Sequence, residues 1–331
     1  MGLRGAVQIP AGRCAQIACL FVQKKSIPKI FFQNSNSCSN FSILHSHCPV
    51  LGRKNLNTML YNSDQLATFK HQTFAHLIVE EKGHLLTITL NRPEKKNAMN
   101  PVLFREIAFA LKYAKHSPHI WAVVIAANGD VFCAGADLKS FAGEKDQQVS
   151  TVPEPHGEIV LGDVFARLHK PCIAKVHAPV YAGGFLIICG CTHVIAVENA
   201  TFSLPEVKRG LFPFQVMQSM LHIMPARAVL DFCIRAKSAT ATEAEKLGLV
   251  SKVVLPENLN AEVQNLVDEI CQYSPSAIKL GLEAFDNLKK VPAAEAHTYL
   301  KQMLSLAIDT EDAAEGLAAF IEKRKPVWKG K

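Results

Sequence analysis

Three short stretches carry residue types suited to chemistry on an activated carbonyl. In Cys133-Ala134-Gly135-Ala136-Asp137 an apolar run ends in two tiny residues and a glycine, and an acid opens the next segment. A turn of this kind leaves backbone N–H groups without an internal acceptor, and outward-facing N–H groups stabilise an oxyanion. Many strand-to-helix turns look the same, so the stretch means little alone. In Ala182-Gly183-Gly184 paired glycines open a helical pattern. There a ligand can approach the backbone and meet the positive end of the helix dipole. Close packing of a helix on a strand asks for the same small residues. No phosphate-loop Lys and Ser/Thr follow, which excludes a nucleotide cradle of that type. In Leu204-Pro205-Glu206 a carboxylate is fixed by a proline among apolar residues. Such surroundings disfavour its charged form and raise its basicity into a useful range; the ordinary reading of a single Glu is a solvated loop residue.

Other candidates are weaker. Cys189-Gly190-Cys191-Thr192-His193 has no second ligand pair at zinc-site spacing and reads as small residues packed on a sheet, so no metal is expected. His84 and His177 have no acidic partner visible in the sequence. No Gly-x-Ser-x-Gly elbow exists, which disfavours a serine hydrolase.

The elements that must hold these residues alternate along the chain. Structure is expected to begin near His76. The β-rich runs 77–80 and 85–90, separated by Glu81-Lys82-Gly83-His84, read as a hairpin. Asn100-Pro101 opens a helix carrying Leu103, Ile107, Ala110 and Leu111 on one face. The apolar run 121–127, closed by Asn128-Gly129-Asp130, predicts a buried parallel strand. Residues 141–155 are polar and proline-punctuated and predict a mobile loop near a mouth. A helix over 157–169, strands over 172–177 and 194–197, and a helix from Gly183 follow. From Ala241 the pattern is almost wholly helical: 241–247, 256–272, 274–289, 293–308 and 311–324. Repeated β-β-α units with a helical tail predict a stacked α/β core.

Composition separates a leader from this body. The chain has 331 residues and a formal net charge of +7. Residues 1–75 hold eight basic side chains and one acid, Asp64, so the remaining residues are charge-neutral. The basic balance is therefore no argument for nucleic acid or an anionic surface as partner of the body. No apolar run reaches the roughly 18 residues a membrane span requires. A leader that is basic, nearly free of acids and rich in Ser and Asn fits an organellar transit peptide and predicts a mitochondrial matrix location. Alternatively it is a disordered extension, or translation starts at Met59 and the protein stays cytoplasmic. The domain expectation is a leader over 1–75, a spiral core over 76–255 and a helical region over 256–331. The six body cysteines, scattered among apolar runs, read as reduced.

Taken in order, the motifs of residues 76–331 resemble the crotonase, or enoyl-CoA hydratase/isomerase, superfamily. They are Asn91-Arg92-Pro93-Glu94-Lys95-Lys96-Asn97-Ala98, the 133–137 turn, Lys170-Pro171-Cys172-Ile173-Ala174, Ala182-Gly183-Gly184, Pro205-Glu206, residues 244–250 and Phe320-Ile321-Glu322-Lys323-Arg324-Lys325. The resemblance implies an α/β crotonase-like spiral of β-β-α turns whose helical C-terminal region builds a homotrimer or a dimer of trimers. It implies an acyl-CoA thioester as ligand, with coenzyme A part of the substrate and no separate cofactor. The thioester oxygen would sit between the N–H groups of Ala136 and Gly183. Ala98, Ala134, Gly135 and Asp137 would line the substrate, Leu186 the acyl pocket, and Lys139 and Lys323 the CoA phosphates. For Lys323 the competing reading is a solvated helix end.

One departure from the family pattern decides the expected reaction. Hydratases of this family use two glutamates. The second matches Glu206, but the first falls three positions after Gly183, where this chain has Leu186. Removing a catalytic carboxylate costs orders of magnitude in rate. A single base suffices for moving a double bond from Δ3 to Δ2, and the related isomerases keep only the Glu206-like carboxylate. Dienoyl-CoA isomerases add an acid eight positions further on, where Phe214 stands. The expectation is enoyl-CoA isomerisation with Glu206 as base. Hydration, thioester hydrolysis, decarboxylation or non-catalytic acyl-CoA binding are the alternatives.

Overall fold

Structure begins earlier than His76. The computed structural model describes residues 60–141, 143 and 149–331; residues 1–59, 142 and 144–148 lie outside the described residues. Most of the expected leader and the centre of the expected loop therefore fall among the latter. Helix α1 (Ser63–Ala67) starts with a capping box in which Asn62 and Gln65 satisfy each other's backbone N–H groups. Tyr61, Leu66 and Phe69 are buried, and the Phe69 ring stacks on Tyr113 at 3.7 Å. One helical turn is too short to show periodicity, which is why this arm does not stand out in the sequence. It also anchors part of the expected loop: Thr151 N–H donates to the Thr73 carbonyl at 3.0 Å and His156 N–H to that of Leu60 at 2.9 Å.

The arm leads into the hairpin β1 (Leu77–Lys82) and β2 (Leu85–Leu90), then helix α2 (Pro101–His116) and strand β3 (Ala122–Ala127). Asn100 caps α2 by accepting from Leu103 N–H at 2.8 Å, with Pro101 in the first turn. At the other end the Lys170 ammonium donates to the carbonyls of Ala114 and Ser117 at 2.5 and 2.7 Å, neutralising acceptors the helix leaves open. All six residues of β3 are buried, as befits a strand covered on both faces.

Helix α3 (Leu138–Phe141) and helix α4 (Leu161–Ala166) follow, the latter shorter than the expected 157–169 span. Strand β4 (Cys172–Val176), β5 (Val180–Tyr181), helix α5 (Gly184–Gly190), β6 (His193–Val197) and β7 (Thr201–Ser203) complete the next units. Two helices absent from the sequence expectation come next, α6 (Phe214–Met220) and α7 (Ala226–Arg235), then β8 (Ser238–Thr240), α8 (Ala241–Lys246) and β9 (Lys252–Val254). The main sheet has the order β1-β2-β3-β4-β6-β9, parallel except for the β1–β2 hairpin. A second sheet, β5-β7-β8, carries the site. The tail is helical as expected: α9 (Leu259–Ile270), α10 (Pro275–Leu288), α11 (Ala296–Ile308) and α12 (Glu311–Glu322). Among the described residues no helix is long and apolar enough to cross a membrane.

Candidate active site

Two chain turns meet at the C-terminal ends of β3 and β4. Cys133 and Val180 form an isolated parallel bridge, and Tyr181 N–H donates to the Cys133 carbonyl at 2.9 Å. This sets the 133–137 turn beside the 180–184 turn. Met99 N–H donates to the Gly135 carbonyl at 2.7 Å, and Asp137 N–H to the Met99 carbonyl at 2.9 Å. Because peptide groups alternate in direction along an extended segment, those two bonds turn the intervening Ala136 N–H to the opposite side, toward Gly183.

Gly183 is the N-cap of α5 at φ −57°, ψ −13°, and its N–H belongs to the helix's unpaired donors. Among the described residues neither Ala136 N–H nor Gly183 N–H has a protein acceptor. The turns are pressed together tightly. A Cβ on Gly135, whose φ is +87°, would fall 2.7 Å from the Gly183 nitrogen and 2.5 Å from the Ala182 Cβ. Ala182 itself sits at φ +50°, a conformation that costs a non-glycine residue energy and points to a constraint imposed by the surroundings. Its N–H is tied to the Ser203 carbonyl at 3.0 Å.

That last bond ties the 180–184 turn to Ser203, which ends β7, and Glu206 follows after Leu204-Pro205. Leu204 is fully buried. Glu206 Oε2 is shut off from solvent and, among the described residues, has no hydrogen-bond partner. Burial pushes the Glu206 carboxyl above its ordinary range, and its own N–H and the exposed Arg209 only partly offset this. The thiol of Cys233, buried on α7, is pushed up to about 11 by burial and then by the Glu206 charge. A raised pKa in a half-buried carboxylate is what a proton shuttle near neutral pH requires.

The remaining sequence candidates fall into two groups. Leu186 lies one turn into α5, 5% exposed, with its N–H on the Gly183 carbonyl at 3.0 Å. Phe214 is largely exposed at the start of α6, its ring 5.1 Å from Phe212. Ala134 N–H donates to the Lys96 carbonyl at 3.0 Å, and Ala98 offers its carbonyl to Arg92 at 2.9 Å. The Asp137 carboxylate is held within the fold. Its Oδ2 takes Arg92 Nη1 at 2.7 Å, and its Oδ1 accepts Lys139 N–H and Ser140 N–H at 3.1 and 3.3 Å. Burial works to raise this carboxyl, but the bonds from Arg92 and Ser140 prevail and hold it below its usual range. Asp137 therefore positions the turn rather than offering free charge to a ligand. Lys139 and Lys323 are exposed, the latter at the left-handed C-cap of α12.

Arg92, Asn97 and Met99 are functional neighbours that residue types alone did not reveal. Asn97, at φ +52°, donates to the Asn128 and Val131 carbonyls at 2.8 Å each and accepts from Arg92 N–H at 2.9 Å. It locks the 92–99 loop onto the turn after β3. The Asn91-to-Ala98 motif was visible; its bracing role needed the fold. The Cys189–His193 stretch packs as expected: a Cβ on Gly190 would fall 2.5 Å from Phe165, and Cys191 Sγ lies 3.4 Å from Cys172 Sγ. His177 meets the Gly129 carbonyl at 2.7 Å and His84 that of His119 at 2.8 Å.

An α/β core that leaves the Ala136 and Gly183 N–H groups without a protein acceptor and holds a desolvated glutamate just beyond β7 points to a class, and comparison with known proteins agrees. The chain belongs to the enoyl-CoA hydratase/isomerase family, whose pattern matches residues 80–331. It is 31% identical over 261 residues to a probable mitochondrial enoyl-CoA hydratase of Dictyostelium discoideum, covering 78% of this chain and 92% of the relative. It is 32% identical over 259 residues to a probable enoyl-CoA hydratase of Rhizobium meliloti, covering 78% and 99%. The crystal structure of an enoyl-CoA hydratase from Mycobacterium tuberculosis superposes with a TM-score of 0.70 at 26% identity, covering 78% of this chain and all of that one. The fold is thus the crotonase fold expected from the motifs.

Proposed function

We propose that the protein moves the double bond of an enoyl-CoA from Δ3 to Δ2, with Glu206 carrying the proton. The observation that carries this reading is the single carboxylate. Glu206 is desolvated and without a hydrogen-bond partner among the described residues, and the position three residues after Gly183 is the buried, alkyl Leu186. In the mechanism, Glu206 removes a proton from C2 while the two N–H groups hold the oxygen of the resulting dienolate. The same carboxyl then returns the proton to C4. Each preorganised donor contributes about 3–4 kcal/mol to holding that charge. Coenzyme A enters as part of the substrate, and Lys139 supplies a cation one turn beyond the oxyanion site.

Hydration is the second reading, and the names of the relatives favour it. It requires another acid to replace the missing glutamate, and the exposed Glu158, on the side of the 141–155 loop, is a candidate. The two readings part on incubation with a 3-enoyl-CoA, following the conjugated 2-enoyl product by absorbance. Conversion by the wild type that disappears in Glu206→Ala is expected. Equal background conversion by both would end the isomerase reading, and efficient hydration of crotonyl-CoA would favour the alternative.

The same reading extends to assembly and location. Helix α11 has no buried residue, and Leu304, Ile308, Leu317, Phe320 and Ile321 stand exposed on α11 and α12. An apolar face of this extent suits a second copy of the chain, as a homotrimer or dimer of trimers, with Lys323 offered at the interface. Residues 1–59 contain seven basic side chains and no acid, which supports mitochondrial delivery.

A further inference from the structure

A second polar cavity lies at the opposite end of the main sheet. Ile120 and Trp121 precede β3 and Lys170 and Pro171 precede β4, whereas Ala136 and Gly183 follow the other ends of those strands. A six-residue strand at ~3.3 Å per residue separates the two places by roughly 20 Å. The cavity measures about 100 Å³, well below the roughly 300 Å³ at which sites for organic ligands begin. Its wall combines Lys115 and His116 from the end of α2, His169 and Lys170 before β4, Lys279 from α10, and Trp121.

Two donors here want an acceptor. The Trp121 indole nitrogen is shut off from solvent and, among the described residues, has no hydrogen-bond partner. The Lys170 ammonium uses two of its three N–H groups on the α2 carbonyls, leaving one. The cations also crowd each other. Burial, then the charge of Lys279, pulls Lys170 down to about 7, and burial and neighbouring lysines pull His116 down as well. Two acids, Glu283 and Asp286, reach this region, and their charges also act on Lys115. Glu283 and Asp286 face His169 at 4.0 and 3.8 Å, and Asp286 also pairs with Lys289 at 3.9 Å. Among the described residues Lys115 and Lys279 make no ion pair within 4 Å.

We propose that this cavity binds a tetrahedral oxyanion of phosphate size, held by Lys115, Lys170, Lys279 and the Trp121 indole N–H. Three lysines around a small, partly desolvated volume match a compact multivalent anion, whose charge would favour their protonated forms, and the indole supplies the directional bond. Its size suits the free ion or the head of a phosphomonoester, not a nucleotide or an acyl-CoA.

The test is a titration of the full-length protein with inorganic phosphate, exchanged against chloride at constant ionic strength, read on the 15N–1H indole resonances. The chain has two tryptophans. Trp328 already donates to the Gln272 carbonyl at 2.7 Å and serves as the internal control, with Trp121→Phe providing the assignment. A saturable shift of the Trp121 signal alone is expected, weakened about tenfold or more in Lys279→Met. Lys279 is exposed, so that variant tests the site without disturbing the core. No phosphate-dependent shift of Trp121, or an unchanged midpoint in Lys279→Met, overturns the proposal. Glycerol phosphate in a parallel titration separates the sources: tighter binding than phosphate supports a phosphomonoester head, weaker binding the free ion.

Discussion

Glu206 has to give up and take back one proton, and its surroundings set the pH at which it can. Desolvation holds its carboxyl above the ordinary value of 4.5, so the acidic limb of the kcat/KM profile for isomerisation is expected above that value. The same shift has a stability consequence. The folded state holds this proton more tightly than the unfolded chain does, so the group's contribution is favourable below about pH 4.5 and is lost as pH rises through the raised value. Glu206→Gln is therefore expected to unfold at a higher temperature than the wild type at neutral pH, with the difference vanishing in acid. Thermal melts across pH would show it. At Gly135, alanine would place a Cβ against the Gly183 nitrogen. Gly135→Ala is expected to lower kcat by about 10²-fold or more while leaving Glu206 in place; an unchanged kcat would mean that the two N–H groups do not hold the oxygen. The turns that carry these residues were legible because Gly and Pro are informative there, whereas the packing of one turn on the other was not. The Arg92 partner of Asp137 was not legible, because an acid in a turn looks the same whether or not an arginine 45 positions away reaches it.

At the scale of elements, the site depends on the loop before α2 staying against the turn after β3. The Arg92–Asp137 pair is nearly buried, with side chains 6% and 11% exposed. Removing the carboxylate takes a charged partner from a nearly buried guanidinium and frees the Lys139 and Ser140 N–H groups, so Asp137→Ala is expected to cost about 3 kcal/mol in chemical denaturation. A loss below about 1 kcal/mol would mean the pair is solvated. The β-β-α alternation, the all-buried β3 and the caps of α2 could be read from the sequence, because local patterning and long-range packing agree there. Helices α6 and α7 could not, since Pro213 and Pro225 stand at their N-caps in place of a side-chain cap. Strand β8 has three residues and only Ala239 buried, too little for a periodic signal. The arm over residues 60–75 shows its role only once Tyr113 and Phe109 are present to receive Phe69 and Tyr61.

At the scale of the whole molecule, the +7 charge sits entirely before Leu60 and the folded unit is neutral. An anionic substrate would thus be held by a few placed groups rather than by a general field. The unpartnered face of α11 and α12 leads to a prediction that does not involve catalysis. Light scattering should give a trimer or its multiple for the wild type and a monomer for a Leu304→Glu, Phe320→Glu double variant; a monomeric wild type would contradict the assembly reading. The central claim concerns one carboxylate moving one proton, and isotope transfer tests it most directly. A 3-enoyl-CoA deuterated at C2 is converted in ordinary water and the 2-enoyl product is examined at C4. A desolvated Glu206 acting alone predicts that part of the deuterium arrives at C4 and that no 3-hydroxyacyl-CoA forms at a comparable rate. Complete loss of label, together with 3-hydroxyacyl-CoA as the main product, would contradict the account.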